Sequence, residues 1–247
     1  MTVLELRNYL LRPGAAADFI RHFEQHFLDS QRAEGMQPLG QFTLEGEPDR
    51  FVWIRGFQDM AARLRGLRGF YGGAFWLERR EATNAMLLDH ENVHLLRPLA
   101  PIADLTGGIT PEARAAEPTG VLDPRSGVVT VDFYRSAPAA LDALVDRFER
   151  IAHPALIAAG HRILGHFVSE SRPNDYPRLA VIQDPSLLVV IGAYRDRDEC
   201  TRLRRDWRAR GPAGEGSMRP LLASDVATLY LHPTLRSLIR YPTNGGQ

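Results

Sequence analysis

Five short segments occur twice in this chain, in the same order, and that duplication limits the fold more than any other feature. "LGQF" at Leu39–Phe42 returns as "LGHF" at Leu164–Phe167. Before them stand "LELRNY" (Leu4–Tyr9) and "VTVDFY" (Val129–Tyr134), at the same offset. After them come "FVWIRGFQDM" (Phe51–Met60) and "LVVIGAYRDR" (Leu188–Arg197), followed by the arginine-rich stretches "AARLRGLRGF" and "ECTRLRRDWR". Each copy ends in a short apolar run with a proline, "NVHLLRP" and "ATLYLHP". One matched tetrapeptide is weak; five in order mark a tandem duplication. The second copy carries an insertion of about a dozen residues before its third segment. The copies are assigned to residues 1–98 and 128–247. Between them, residues 99–127 are rich in proline and glycine, and read as a linker crossing the surface.

Each copy reads strand, helix, strand, strand, helix, strand. Val3–Tyr9 alternates, with Leu4, Leu6 and Asn8 on one face and Glu5, Arg7 and Tyr9 on the other. "RPG" at Arg12–Gly14 turns the chain into a helix that Gly35 stops. Leu39–Leu44 and Phe51–Phe57 are strands joined through the turn chemistry of "EGEPDR". Asp59 is placed to cap the next helix, and Asp196 or Asp198 its counterpart. Val93–Leu96 is the closing strand. The order βαββαβ is ferredoxin-like. Its sheet has helices on one face only, so the other face needs cover. Two tandem copies packed sheet to sheet supply it, giving an α+β fold, a pseudo-dimeric α+β barrel.

Composition removes several functions. All 30 basic Lys+Arg residues are arginine. A lysine Schiff base and a P-loop lysine are therefore excluded. Net charge is zero, so no basic excess supports nucleic-acid binding. No apolar run is long enough to span a bilayer. The N-terminus lacks the pattern of a secretory signal, and a single cysteine, Cys200, suits a reducing compartment; the expectation is a cytoplasmic protein.

The segments "LELRNYLLRPG", "HF" after a helix, "LGQF", "RFVWIRGFQDMAARLRGL" and "NVHLLRP" resemble the NIPSNAP family. The likeness covers most of residues 1–98; the second half matches in outline, with "VDFY" in place of the first strand and no "RPG" after it. The resemblance implies a dimeric α+β barrel. It leaves activity open, because the family's proposed roles run from small-molecule binding to trafficking and signalling. Other barrels of this fold are cofactor-independent monooxygenases, haem enzymes and lactone isomerases, and fold does not fix function.

The candidate site rests on the polar strand face. If Leu4 and Leu6 pack under the helices, Glu5, Arg7 and Tyr9 point into the barrel. Arg7 and Asp132 are then equivalent positions of opposite charge, expected to interact across or along it. That contact is either a structural salt bridge or part of a ligand cavity, with Arg7 as anion or carbonyl anchor and Tyr9 as hydroxyl donor. Trp53 and Arg55, on a face with Phe51 and Phe57, add aromatic walls and a second cation, or are plain core. "FYGGAFW" (Phe70–Trp76) is a lid or a turn between helices.

"IRHFEQHF" (Ile20–Phe27) sets His22 and His26 four apart. Phe19, Ile20, Phe23 and Phe27 form the apolar stripe, with both histidines on one flank and Glu24 on the other. His-x-Glu-x-His is not the zincin order, so no metal is assigned. His26 is a core-margin residue or borders a pocket, where with Tyr9 it would do acid/base work. Guanidinium groups near Cys200 would lower its thiol pKa, but it has no histidine partner. The leading reading is a barrel binding a small, partly aromatic or carbonyl-bearing metabolite, with cofactor-independent proton-transfer or monooxygenase-like chemistry within reach and no cofactor assigned. The competing reading is an interaction protein with a filled barrel. An exposed sheet edge at the second strand would favour a homodimer.

Overall fold

A computed structural model of the chain describes residues 1–102, 105–123 and 125–242. Residues 103, 104 and 124 of the linker stretch, and 243–247 at the end of the second copy, lie outside the described residues. In chain order the elements of the first half are β1 (Val3–Leu11), α1 (Ala16–Ala33), β2 (Gln37–Leu44), β3 (Glu47–Phe57), α2 (Met60–Gly72), α3 (Ala74–Asn84), β4 (Leu87–Asp89) and β5 (Val93–Pro98). A short α4 (Pro111–Arg114) lies in the connecting stretch. The second half has β6 (Val128–Arg135), α5 (Leu141–Arg147), α6 (His153–Ala158), β7 (Arg162–Ser169), β8 (Leu187–Tyr194), α7 (Arg197–Ala209) and β9 (Ala227–Pro233). A π-helical turn, Phe148–Ala152, joins α5 to α6.

Local chemistry sets these boundaries. Asp59 accepts from Ala62 N at 2.7 Å and Asp196 from Glu199 N at 2.7 Å, so both arginine-rich helices start on an aspartate cap. α1 stops where Gly35 takes φ +75°, a left-handed turn that glycine adopts without penalty. Its stripe of Phe19, Ile20, Phe23 and Phe27 is buried.

Each half has the ferredoxin-like strand order, β5-β1-β3-β2 and β7-β8-β6-β9. The halves are sewn together at both edges. β2 pairs with β9 (Thr43 opposite His232), and β5 pairs with β7 (Arg97 opposite Val168). The result is a closed eight-strand antiparallel barrel, with β4 a short appendage on β1. The edge of β2, expected to lie open for a homodimer, is therefore occupied by β9 of the same chain.

The inside of the barrel reverses an expectation. Leu4, Leu6, Val52 and Ile54 face inward, where they meet Val129, Val131, Val189 and Ile191 of the second half in one apolar cluster. Glu5, Arg7 and Tyr9 face outward, under the helices. An eight-strand barrel is just wide enough for side chains to fill it. Branched aliphatics from both halves fill it here, and a charged set would find neither water nor partners inside. The polar face instead sits beneath α1 and α2, whose side chains can satisfy it.

Candidate functional site

Cross-strand register builds the site. In the antiparallel pair β1–β3, Glu5 stands opposite Arg55, Arg7 opposite Trp53, and Tyr9 opposite Phe51. All six therefore project from one face, toward the helices. α1 lays its phenylalanines on this face: Phe23 packs 4.8 Å from Trp53 and Phe19 5.2 Å from Phe51, ring centre to ring centre.

Glu5 is the hub. It is fully buried. Its Oε2 accepts from Arg7 Nη1 at 2.6 Å and Arg55 Nε at 2.8 Å, and its Oε1 from Arg63 Nε, on α2, at 2.8 Å. Burial alone would raise the Glu5 pKa; Arg55, Arg7 and Arg63 overcome it and hold the carboxyl far below the usual carboxylate range. Arg55 also donates to Gln31 Oε1 at 2.9 Å, and Arg63 Nη1 reaches Asp175 at 2.7 Å.

Arg7 and Tyr9 open onto a cavity. Arg7 Nε donates to Tyr9 Oη at 2.8 Å. The cavity has a volume of about 260 Å³ and lies between β1–β3 and the helices. That is slightly below the roughly 300–1,000 Å³ of drug-sized sites, which suits a small ligand. Its walls are aromatic, chiefly Phe19, Phe23, Phe27, Trp53 and Phe70. "FYGGAFW" spans the end of α2, the turn at Gly73 and the start of α3, and it swings α3 across the opening so that Trp76 and Arg80 line it. His90, beside β4, stands with its ring centre 6.2 Å from that of Tyr9.

The remaining wall comes from the other half. Between β7 and β8, where the second copy carries its insertion, the chain reaches over the first half and adds Tyr176, Arg178 and Leu179 to the lining. Arg63 anchors this loop through Asp175 and Asn174, and Tyr176 stacks on Tyr71 at 6.2 Å. These residues, with Arg63, were not singled out from sequence. The insertion was visible as a length difference, but nothing local says where a loop will land.

Several expected partners are not brought together. Asp132 pairs with Arg204 of α7, through bonds of 2.9 and 2.7 Å, and with Thr228. Asp132 faces outward on the second half as Arg7 does on the first, so the filled barrel separates them. The expected Arg7–Asp132 contact does not form. The space around Asp132 amounts to only about 20 Å³. His26 is not among the cavity-lining residues; its ring packs on His22 and Phe75. Burial, then Arg79, lowers its pKa. His22 Nε2 sits 2.9 Å from Thr83 Oγ1, while Glu24 turns away to bind Gly120 N and the Thr234 hydroxyl. The three do not converge. Cys200 is fully buried, and that burial pushes its thiol up to about 11 against the opposing pull of Arg204 and Arg197. The expected lowering is overturned.

The family model of NIPSNAP proteins matches residues 4–101. This part of the chain is a NIPSNAP domain. Among solved structures, a NIPSNAP-like domain protein from Burkholderia xenovorans is 28% identical over 40% of this chain and 89% of its own, with a TM-score of 0.37. Over the whole chain, a candidate monooxygenase from Lactobacillus acidophilus is similar in structure, with a TM-score of 0.59, 13% identity and 94% of each chain covered. An anthrone oxidase-like protein has a TM-score of 0.54 at 11% identity, covering 94% of this chain and 91% of its own. These whole-chain likenesses show that the NIPSNAP domain and the half that follows it together form the dimeric α+β barrel fold. No curated protein matches the chain. Among the described residues, no helix is long and apolar enough to cross a membrane.

Proposed function

We propose that the NIPSNAP domain binds a small, partly aromatic or carbonyl-bearing metabolite, outside the barrel and beneath α1–α3. The observation that carries this reading is the contrast between the halves. The cavity of about 260 Å³ at Arg7, Tyr9 and Trp53 has a counterpart of only about 20 Å³ at Asp132. One copy keeps a site, and the other has closed it with the Asp132–Arg204 pair. On this reading residues 1–98 are the binding unit, 99–127 the linker, and 128–247 the half that completes and covers it. The ligand is its partner, and the cytoplasm its compartment.

Arg7 and Tyr9 would stabilise negative charge developing on a ligand oxygen. Burial raises the Tyr9 pKa against the pull of Arg7, so Tyr9 acts as a hydroxyl donor. Glu5, held ionised by three arginines, fixes Arg7 rather than serving as a base. The monooxygenase and oxidase descriptions of the structural neighbours favour a second reading, oxidation of the bound ring without a cofactor. A thermal-shift screen of aromatic and carbonyl compounds tests binding, repeated on Arg7→Ala. Hits lost in the variant support the site, whereas hits that persist unchanged reject Arg7 as the anchor. Oxygen consumption with those hits tests the oxidation.

A further inference from the structure

We infer that the cavity takes a singly charged aromatic anion, a carboxylate or an ionised phenol or enol, with its charged oxygen at Arg7 and Tyr9; this rests on the binding reading above. Arg7 lines the cavity, Arg55 and Arg63 lie behind its wall, and each is at most 1% exposed. The acids bonded to this trio are Glu5 and Asp175, which leaves one positive charge uncompensated. Among the described residues the lining adds Arg80 and Arg178 and contains no Asp or Glu. A buried charge is costly unless paired, so the protein has left a place for a negative group.

Hydrogen-bonding capacity points the same way. Among the described residues Arg7 Nη2 has no partner, while Nε and Nη1 are taken by Tyr9 and Glu5. Tyr9 Oη accepts from Arg7, so its own proton is free to donate. Trp53 Nε1 is a further buried donor without a partner. Three donors stand unanswered in an aromatic-walled space. Oxygens of an anion attached to a ring accept from all of them. A neutral carbonyl would leave the excess charge in place, and a phosphate ester would bring about two charges against the one that is buried, since Arg80 and Arg178 are exposed to solvent.

The test compares matched probes: 1-naphthoate against 1-naphthamide, and benzoate against benzamide, by thermal shift and calorimetry on the full chain. The acids are expected to bind at least tenfold more tightly than the amides. Tyr9→Phe is expected to weaken the acids about fivefold with little effect on the amides, and Arg7→Met to abolish the preference. If Arg7→Met does not fold, Tyr9→Phe carries the test alone. Equal binding of acid and amide overturns the charge assignment and leaves the binding site standing. Acids that bind Tyr9→Phe as tightly as the parent protein overturn the placement. Failure of acids, amides and neutral aromatic compounds alike removes the site itself.

Discussion

Glu5→Gln removes the one charge, among the described residues, that touches Arg7, Arg55 and Arg63 together. The substituted amide keeps one acceptor oxygen and turns the other position into a donor. Either Arg63 loses its bond at Oε1, or Arg7 and Arg55 lose theirs at Oε2. Hydrogen bonds to charged groups contribute about 1.5–3 kcal/mol each. Removing one partner of a buried ion pair costs about 3–5 kcal/mol, because the remaining charge is stranded. The substitution should therefore destabilise the fold by about 3–5 kcal/mol, a fall in Tm of roughly 10 °C for a chain of this size. Its pH signature has a definite sign. The folded Glu5 pKa lies far below that of the unfolded chain. Its stabilisation is thus present above roughly pH 4.3, the ordinary Glu value, and is lost as pH falls toward the folded pKa. Denaturant melts of both proteins at several values between pH 7 and 3 should show their difference shrinking below about pH 4.5. A loss under about 1 kcal/mol, typical of exposed pairs, or a difference independent of pH, would refute the hub.

Other expectations follow from the same geometry. Arg7→Ala and Asp132→Ala should be additive in stability within about 0.5 kcal/mol, as for sites without shared partners; a double-mutant cycle with larger coupling would contradict the separation by the barrel. Leu6→Ala opens a void in the filled barrel and should cost about 2–5 kcal/mol in urea unfolding, where a cost near zero would show the position to be unpacked. Arg63→Met frees Asp175 and Asn174, so limited proteolysis should cut first between Arg172 and Leu179, ahead of the backbone bonds of Ile182 to β5, and an unchanged digestion pattern would show that Arg63 does not hold this stretch. Cys200, buried and with its thiol pKa raised, should resist iodoacetamide at pH 7.5 in the folded protein, and rapid alkylation would contradict its placement.

The sequence made the fold legible because duplication, strand alternation and aspartate caps are local or pairwise signals. Alternation fixes which residues share a face but not which face turns inward. The polarity of Glu5, Arg7 and Tyr9 marks a face that needs partners, and helices supply them as well as a lumen would. The decisive comparison was available in the second copy. Val129, Val131, Val189 and Ile191 occupy the positions matching Leu4, Leu6, Val52 and Ile54, so one face is aliphatic in both copies. Only a shared interior asks that of both. The opposite face differs between copies, with Arg7 against Asp132 and Trp53 against Val190, as expected where each half packs under its own helices.

The location of the site follows from that inversion. With the shared interior filled, the cavity at Arg7 lies where the sheet and helix layers fail to meet fully. In the second half Arg204 reaches from α7 to Asp132 and takes up that space. In the first half the arginines bend back to Glu5, and the gap they leave is closed from outside by Tyr176 and Arg178. The insertion in the second copy thus does for the first copy what its own helices do not. Residues 4–101 hold the charged floor of the site but not its full enclosure, so a single NIPSNAP domain without that loop would present Arg7 and Tyr9 to water. Solvent would then screen the excess charge and weaken the preference for an anion. On the proposed anion reading, selectivity at Arg7 depends on a segment about 170 residues away in the chain, tied down by Arg63 at Asp175, by Tyr176 on Tyr71 and by the backbone of Ile182 on β5.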